Sequence, residues 1–179
     1  MQGVYFIAGI YGIGKTTLGR QLSQQFGISF YEASELIKKH NGEEYGAIKH
    51  VKNVNRNQEI LIEEVSKILK QEKAIILAGH FAIFTKERLV EVIPEKVFQQ
   101  LNLTSIILLE TSVNHAMRHL KGRDNKNYTA EELSTLAAEE KRYCLRAVKK
   151  TGAKLIIHQM NYVNDVDVIK KNILEGECK

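Results

Sequence analysis

Proline occurs once in the 179 residues, at Pro94, and cysteine twice, at Cys144 and Cys178. With one proline and no run rich in Ser and Gly or in Gln and Asn, nothing reads as a linker. Two cysteines without metal-like spacing make neither a zinc site nor a disulfide framework. Cys144 falls on the apolar side of an expected helix and reads as a buried thiol; Cys178 lies in a tail expected to fray. No uncharged apolar stretch reaches the roughly 20 residues of a membrane span. The first strand starts almost at Met1, so a secretory leader is not expected and the compartment is taken as cytoplasmic. Charge is also modest. Lys and Arg number 26 against 21 Asp and Glu, for a net +5. That balance suits an anionic partner, yet no basic run with interleaved aromatics points to nucleic acid. A phosphorylated small molecule accounts for it equally well.

What is present is an alternation. VYFIA (4–8), ISFYE (28–32), AIILA (74–78), SIILLE (105–110) and KLIIH (154–158) read as short, wholly apolar or nearly apolar strands. Between them run helical patterns: 15–26 ended by Gly27, a short ELIKKH capped by Ser34, and 57–71. A helix after Pro94 and another from about Val113 to Leu120 come next. A long helix capped by Thr129 and ended by Gly152 follows, and Asp165 caps a last one. Residues 80–102 are harder to read, apart from the helix after Pro94. Short apolar strands separated by helices imply a parallel sheet covered on both faces, in one α/β domain. Ligands of such sheets bind where the strands end. Residues 9–17, 78–81 and 110–112 all follow strands and should line one edge.

The first of these segments is GIYGIGKTT. It matches G-x-x-x-x-G-K-[ST] between a strand and a helix, the context that makes the pattern a phosphate-binding loop. Gly9, Gly12 and Gly14 free the backbone so that successive N–H groups, including that of Ile13, turn inward. Lys15 brings a full charge toward the outer phosphates, Thr16 can ligate Mg²⁺, and Thr17 adds a hydroxyl. ATP with Mg²⁺ is the ligand this loop implies.

The runs GIYGIGKTTLG, YEASELIKK, GHFAIF, LLE and MRHLKGRD followed by KRY resemble the P-loop nucleoside-monophosphate kinases. The likeness is greatest to archaeal-type adenylate kinases and their eukaryotic relatives with both kinase and ATPase character. That resemblance implies a three-layer α/β/α fold of one domain over 1–179, with a five-stranded parallel sheet of order 2-3-1-4-5. It also implies a monophosphate-binding region near 30–57 and a short lid near 118–128. It assigns phosphate-gripping roles to Arg123 and Arg142, and to Arg118; each can equally be a solvated arginine on a charged helix. The family places Asp at the end of the third strand, two residues before a histidine. Here that position is Ala78, and the histidine is His80, either catalytic or structural. Glu110, which ends the neighbouring strand, is the candidate replacement carboxylate for the metal, or else a loop contact. Glu35 and Lys38 read as a surface pair, and Tyr11 as the filler of a variable loop position.

The expected activity is Mg²⁺-dependent phosphoryl transfer from ATP to a nucleoside monophosphate, AMP first. Two alternatives stand beside it: a P-loop kinase for a small metabolite, and a nucleotide-dependent switch or assembly ATPase.

Overall fold

The computed structural model describes residues 1–40, 54–124 and 128–175, with side chains described for 56–122 of the middle stretch. In chain order the first elements are β1 (Gly3–Ala8), α1 (Lys15–Phe26), β2 (Ser29–Glu32), α2 (Ala33–His40), α3 (Val54–Leu69) and β3 (Ala74–Ala78). There follow β4 (Ala82–Phe84), β5 (Val90–Val92), α4 (Glu95–Gln100), β6 (Leu103–Glu110) and α5 (Val113–Asp124). The described chain closes with α6 (Ala130–Thr151), β7 (Lys154–Gln159) and α7 (Asp165–Leu174).

Five strands form one parallel sheet in the order β2-β3-β1-β6-β7, and β4 and β5 make a separate antiparallel hairpin. Counting the parallel strands alone, the order is 2-3-1-4-5. The hairpin fills the stretch where the sequence shows no clear period.

The apolar strands have two buried faces because helices cover both. Along β1, Val4, Phe6 and Ala8 enter one core cluster, while Tyr5 and Ile7 enter the other. The first cluster is completed by Leu36 of α2, Leu61 and Val65 of α3, and Val97 and Phe98 of α4. The second takes Leu18 and Leu22 of α1, Ala116 and Leu120 of α5, and Ile169 and Ile173 of α7. This is the three-layer arrangement the alternation implies. Helix α6 belongs to both sides: Leu133 and Leu136 pack in the second cluster, Cys144 and Ala147 in the first. It therefore passes over the sheet's edge instead of lying on one face.

Local signals held at most helix ends. Gly27 and Gly152 adopt left-handed backbone and close α1 and α6. Thr129 caps α6 in a reciprocal box with Glu132, two orphan donors being satisfied at once. Two caps differ from expectation. Helix α2 starts at Ala33, which puts Ser34 inside it. Asn164, not Asp165, stands at the cap of α7. The Asp165 carboxylate instead takes the N–H groups of Asn161 and Tyr162 and meets His158 Nε2 at 2.7 Å. Helix α5 also runs to Asp124, so the first part of the expected lid continues a helix. Within the expected monophosphate-binding region, residues 41–53 lie outside the described residues.

Candidate functional site

The loop between β1 and α1 has the backbone its glycines allow. Gly9, Gly12 and Gly14 take φ of 143°, 75° and 100°, a region that L side chains avoid. At Gly12 the restriction is also spatial, since a Cβ there would come 2.9 Å from Leu120 Cγ and 3.1 Å from Ala116 O. Ile13 is 1% exposed and anchors the loop in the core. Helix α1 begins at Lys15 with no side-chain cap on its first N–H groups and no acidic residue in its first turn. An uncapped helix start under a glycine loop fits an anion. Thr16 is half-buried and Thr17 exposed on that first turn. The Lys15 ammonium donates to the carbonyl oxygens of Gly9 at 2.7 Å and Ile10 at 3.0 Å.

Behind this loop stands Glu140, which the sequence reading did not single out. It is 1% exposed. Its Oε1 accepts the Gly9 N–H at 2.9 Å, and its Oε2 accepts those of Phe81 at 2.8 Å and Ala82 at 2.7 Å. The signal was available. Leu133, Leu136, Glu140, Cys144 and Ala147 are the buried positions of α6, and their spacing is that of one helical stripe. Glu140 is the charged member of an otherwise apolar row, at the point where α6 passes from one core cluster to the other. Burial pushes its carboxyl up to about 7, against the opposing pull of the Lys15 charge and the three N–H groups.

His80 follows β3 beside this carboxylate. Its Nδ1 is 3.9 Å from Glu140 Oε1 and makes no hydrogen bond. Burial, and then the Lys15 charge, hold its pKa well below the usual value, so the ring is neutral at physiological pH. The ring packs on Tyr11 with centroids 4.7 Å apart. Tyr11 is more than a loop filler: its hydroxyl accepts the Phe84 N–H at 3.2 Å, and its ring lies 6.1 Å from that of Tyr128. Tyr128 stacks on Phe84 at 5.2 Å, and Arg88, paired to Glu132, lies over the Tyr128 ring at 5.5 Å. The hairpin, the phosphate loop and the start of α6 thus share an aromatic seam. Burial raises the Tyr11 hydroxyl to about 12, so it stays protonated.

Neither Arg118 nor Arg142 is directed at the loop. Arg142 pairs with Glu139 at 2.5 Å and lies over Tyr143 at 5.1 Å. It follows Glu140 by two residues, roughly 200° around the helix, and so projects away from the carboxylate that meets the loop. Arg118 is exposed on α5, on the side opposite buried Ala116 and Leu120 by the same geometry. The side chain of Arg123 lies outside the described residues. Glu110 is engaged by Lys141 at 2.9 Å, a second partner the sequence reading missed. Ala78 ends β3 at 5% exposure. Among the described residues no group of three or more His, Cys, Asp or Glu could hold a metal ion. Cys144 is buried and free, as expected, and Glu35 pairs with Lys38 on the surface of α2. No helix among the described residues is long and apolar enough to cross a membrane.

The sequence pattern of the AAA domain family matches residues 8–137. Shikimate kinase 1 of Salmonella newport (strain SL254) and that of Salmonella heidelberg (strain SL476) are each 37% identical over 75 residues. That stretch covers 41% of this chain and 42% of each relative. Among solved structures, shikimate kinase from Acinetobacter baumannii in complex with shikimate aligns over 100% of this chain and 97% of that chain, with 17% identity and a TM-score of 0.65. A gluconokinase from Sinorhizobium meliloti 1021 aligns over 99% and 98%, with 12% identity and a TM-score of 0.58. At those identities the structural likeness is one of fold. The relatives named are small-metabolite kinases, so the adenylate-kinase specificity drawn from the sequence finds no support in them. The chain belongs to the AAA domain family, on the α/β fold that these P-loop kinases share.

Proposed function

We propose that this protein is a P-loop phosphotransferase that moves the γ-phosphoryl group of Mg²⁺-bound ATP to a hydroxyl of a small metabolite. The observation that carries the reading is the glycine loop opening onto the uncapped start of α1 with Lys15 at its first position. The acceptor class rests on likeness to shikimate kinases and a gluconokinase, so a hydroxylated acid of the shikimate kind is the first candidate and AMP the second.

The residues have separable tasks. The loop's inward N–H groups and the α1 start hold the β- and γ-phosphates. Lys15 leaves the carbonyls of Gly9 and Ile10 to meet the phosphate oxygens, where its charge counters what spreads in the transition state. Thr16 would offer its hydroxyl to Mg²⁺, an ion that would supply further neutralisation of phosphate charge. His80, neutral and poised after β3, can accept a hydrogen bond from the acceptor hydroxyl as its oxygen attacks phosphorus and ADP departs. Arg123, and less directly Arg118 and Arg142, are left as candidates for gripping phosphate once the site closes.

A second reading, an ATPase that drives a conformational change, is favoured by one feature. Neither Ala78 nor Lys141-bound Glu110 offers a ready carboxylate for the metal's waters. A coupled ADP-release assay separates the readings: acceptor-dependent release supports the kinase, and acceptor-independent release the ATPase.

A further inference from the structure

A carboxylate in the middle of an apolar helix stripe needs a reason, because burying one is costly unless it is paired and hydrogen-bonded. At Glu140 the partners are three backbone N–H groups from two segments distant in sequence: Gly9, which opens the phosphate loop, and Phe81 with Ala82, which follow His80. Gly9 is held on both sides, since its N–H goes to Glu140 and its carbonyl receives Lys15. Once Lys15 turns to phosphate, the Glu140 bond is the side-chain hold that Gly9 retains.

We infer that Glu140 is a positioning residue: it fixes the entry of the phosphate loop against the segment carrying His80 and so sets the distance between the two. The kinetic part of this inference rests on the phosphoryl-transfer reading above; the structural part rests on geometry alone. Charged or titratable groups facing the carboxylate are Lys15 from α1, Tyr11 from the loop, His80 after β3 and Cys144 one turn along α6. Placement errors of about 1 Å in such sites cost on the order of 10²-fold in rate. Glu140 acts on the rate through the three backbone N–H groups it holds.

Glu140→Gln tests it in the full chain. A side-chain amide has one acceptor oxygen and one donor group, so it can serve Gly9 or the Phe81–Ala82 pair, not both. In hydrogen exchange of the labelled protein, one of those two sets should exchange at least about tenfold faster in E140Q, while Ile107 in β6 is unchanged. With Mg²⁺-ATP and acceptor, kcat should fall on the order of 10²-fold, and the KM for ATP should move less than about threefold. The wild type should show an inflection of kcat near pH 7 that the variant lacks. Should E140Q not fold, Glu140→Asp serves: its side chain is one methylene shorter and cannot reach both Gly9 and the Phe81–Ala82 pair, so one of those two sets should exchange at least about tenfold faster. Unchanged exchange at all three, or wild-type kcat and pH profile in E140Q, overturns the inference. If the wild type transfers phosphate to no acceptor, it is the kinase reading that fails, and the exchange data alone uphold or overturn the clamp.

Discussion

Lys141 Nζ lies 2.9 Å from Glu110 Oε1, where β6 ends at the sheet's functional edge. The pair occupies the carboxylate that the sequence offers as a replacement for the acid missing at Ala78. We therefore expect Thr16, not Glu110, to govern the metal. Thr16→Val should raise the Mg²⁺ needed for half-maximal activity by about tenfold or more. Glu110→Gln should shift it less than about threefold and cost under about 1 kcal/mol of stability, as partly exposed ion pairs do. Titrating activity against Mg²⁺ in both variants decides this, and the reverse ranking would return Glu110 to the metal site.

Lys15→Met should abolish turnover while sparing the fold. Its ammonium is held by two loop carbonyls, which solvent can satisfy in its absence. A loss of about 10²-fold or more in kcat/KM is expected, with a melting temperature within a few degrees of wild type. Wild-type turnover in the variant would remove the phosphate loop from the account.

Two groups beside the loop pull stability in opposite directions with pH. Glu140 ionises at about 7 in the folded protein against 4.5 ordinarily. Across that window the folded state keeps a proton the unfolded chain has released, so stability declines as pH rises. His80 is held neutral, so below its ordinary 6.5 the unfolded chain binds the proton and stability declines as pH falls. Urea unfolding near pH 5, 6.5 and 8 should separate them. Glu140→Gln leaves the decline toward acid, and His80→Asn leaves the decline toward base. Superimposable pH profiles for all three proteins would show that neither group titrates as described.

Ala78 tests the missing acid. It is buried at the end of β3, so Ala78→Asp places a carboxylate where water is scarce and should lower stability by about 2 kcal/mol or more. Mg²⁺-ATP should raise the melting temperature of this variant more than that of wild type, because the metal gives the new carboxylate a partner. Equal nucleotide-induced shifts would mean that position 78 does not face the metal.

The sheet was legible because β1, β3 and β6 are short, apolar and separated by helices, a pattern with few parallel-sheet alternatives. The phosphate loop was legible because Gly12, Gly14 and Lys15 stand in fixed order behind a strand. The hairpin β4–β5 was not: Ala82–Phe84 and Val90–Val92 are three residues each, too short to show a period. Glu140 was hidden for a different reason. In AAEEKRY two glutamates adjoin, and only the stripe through Leu133, Leu136 and Cys144 tells which of them turns inward. Reading that stripe for its charged member would have found it. The same stripe places Arg142, since a helix that turns Glu140 toward the loop turns Arg142 away from it.

The most direct test of the phosphotransferase account is ADP release from Mg²⁺-ATP, measured on the full chain across hydroxylated small acids and AMP. The account predicts release that rises about tenfold or more with a hydroxylated acid, little response to AMP, and loss of the response in Lys15→Met. Equal release with and without every acceptor would contradict it and make the protein an ATPase; a response to AMP alone would contradict the proposed acceptor.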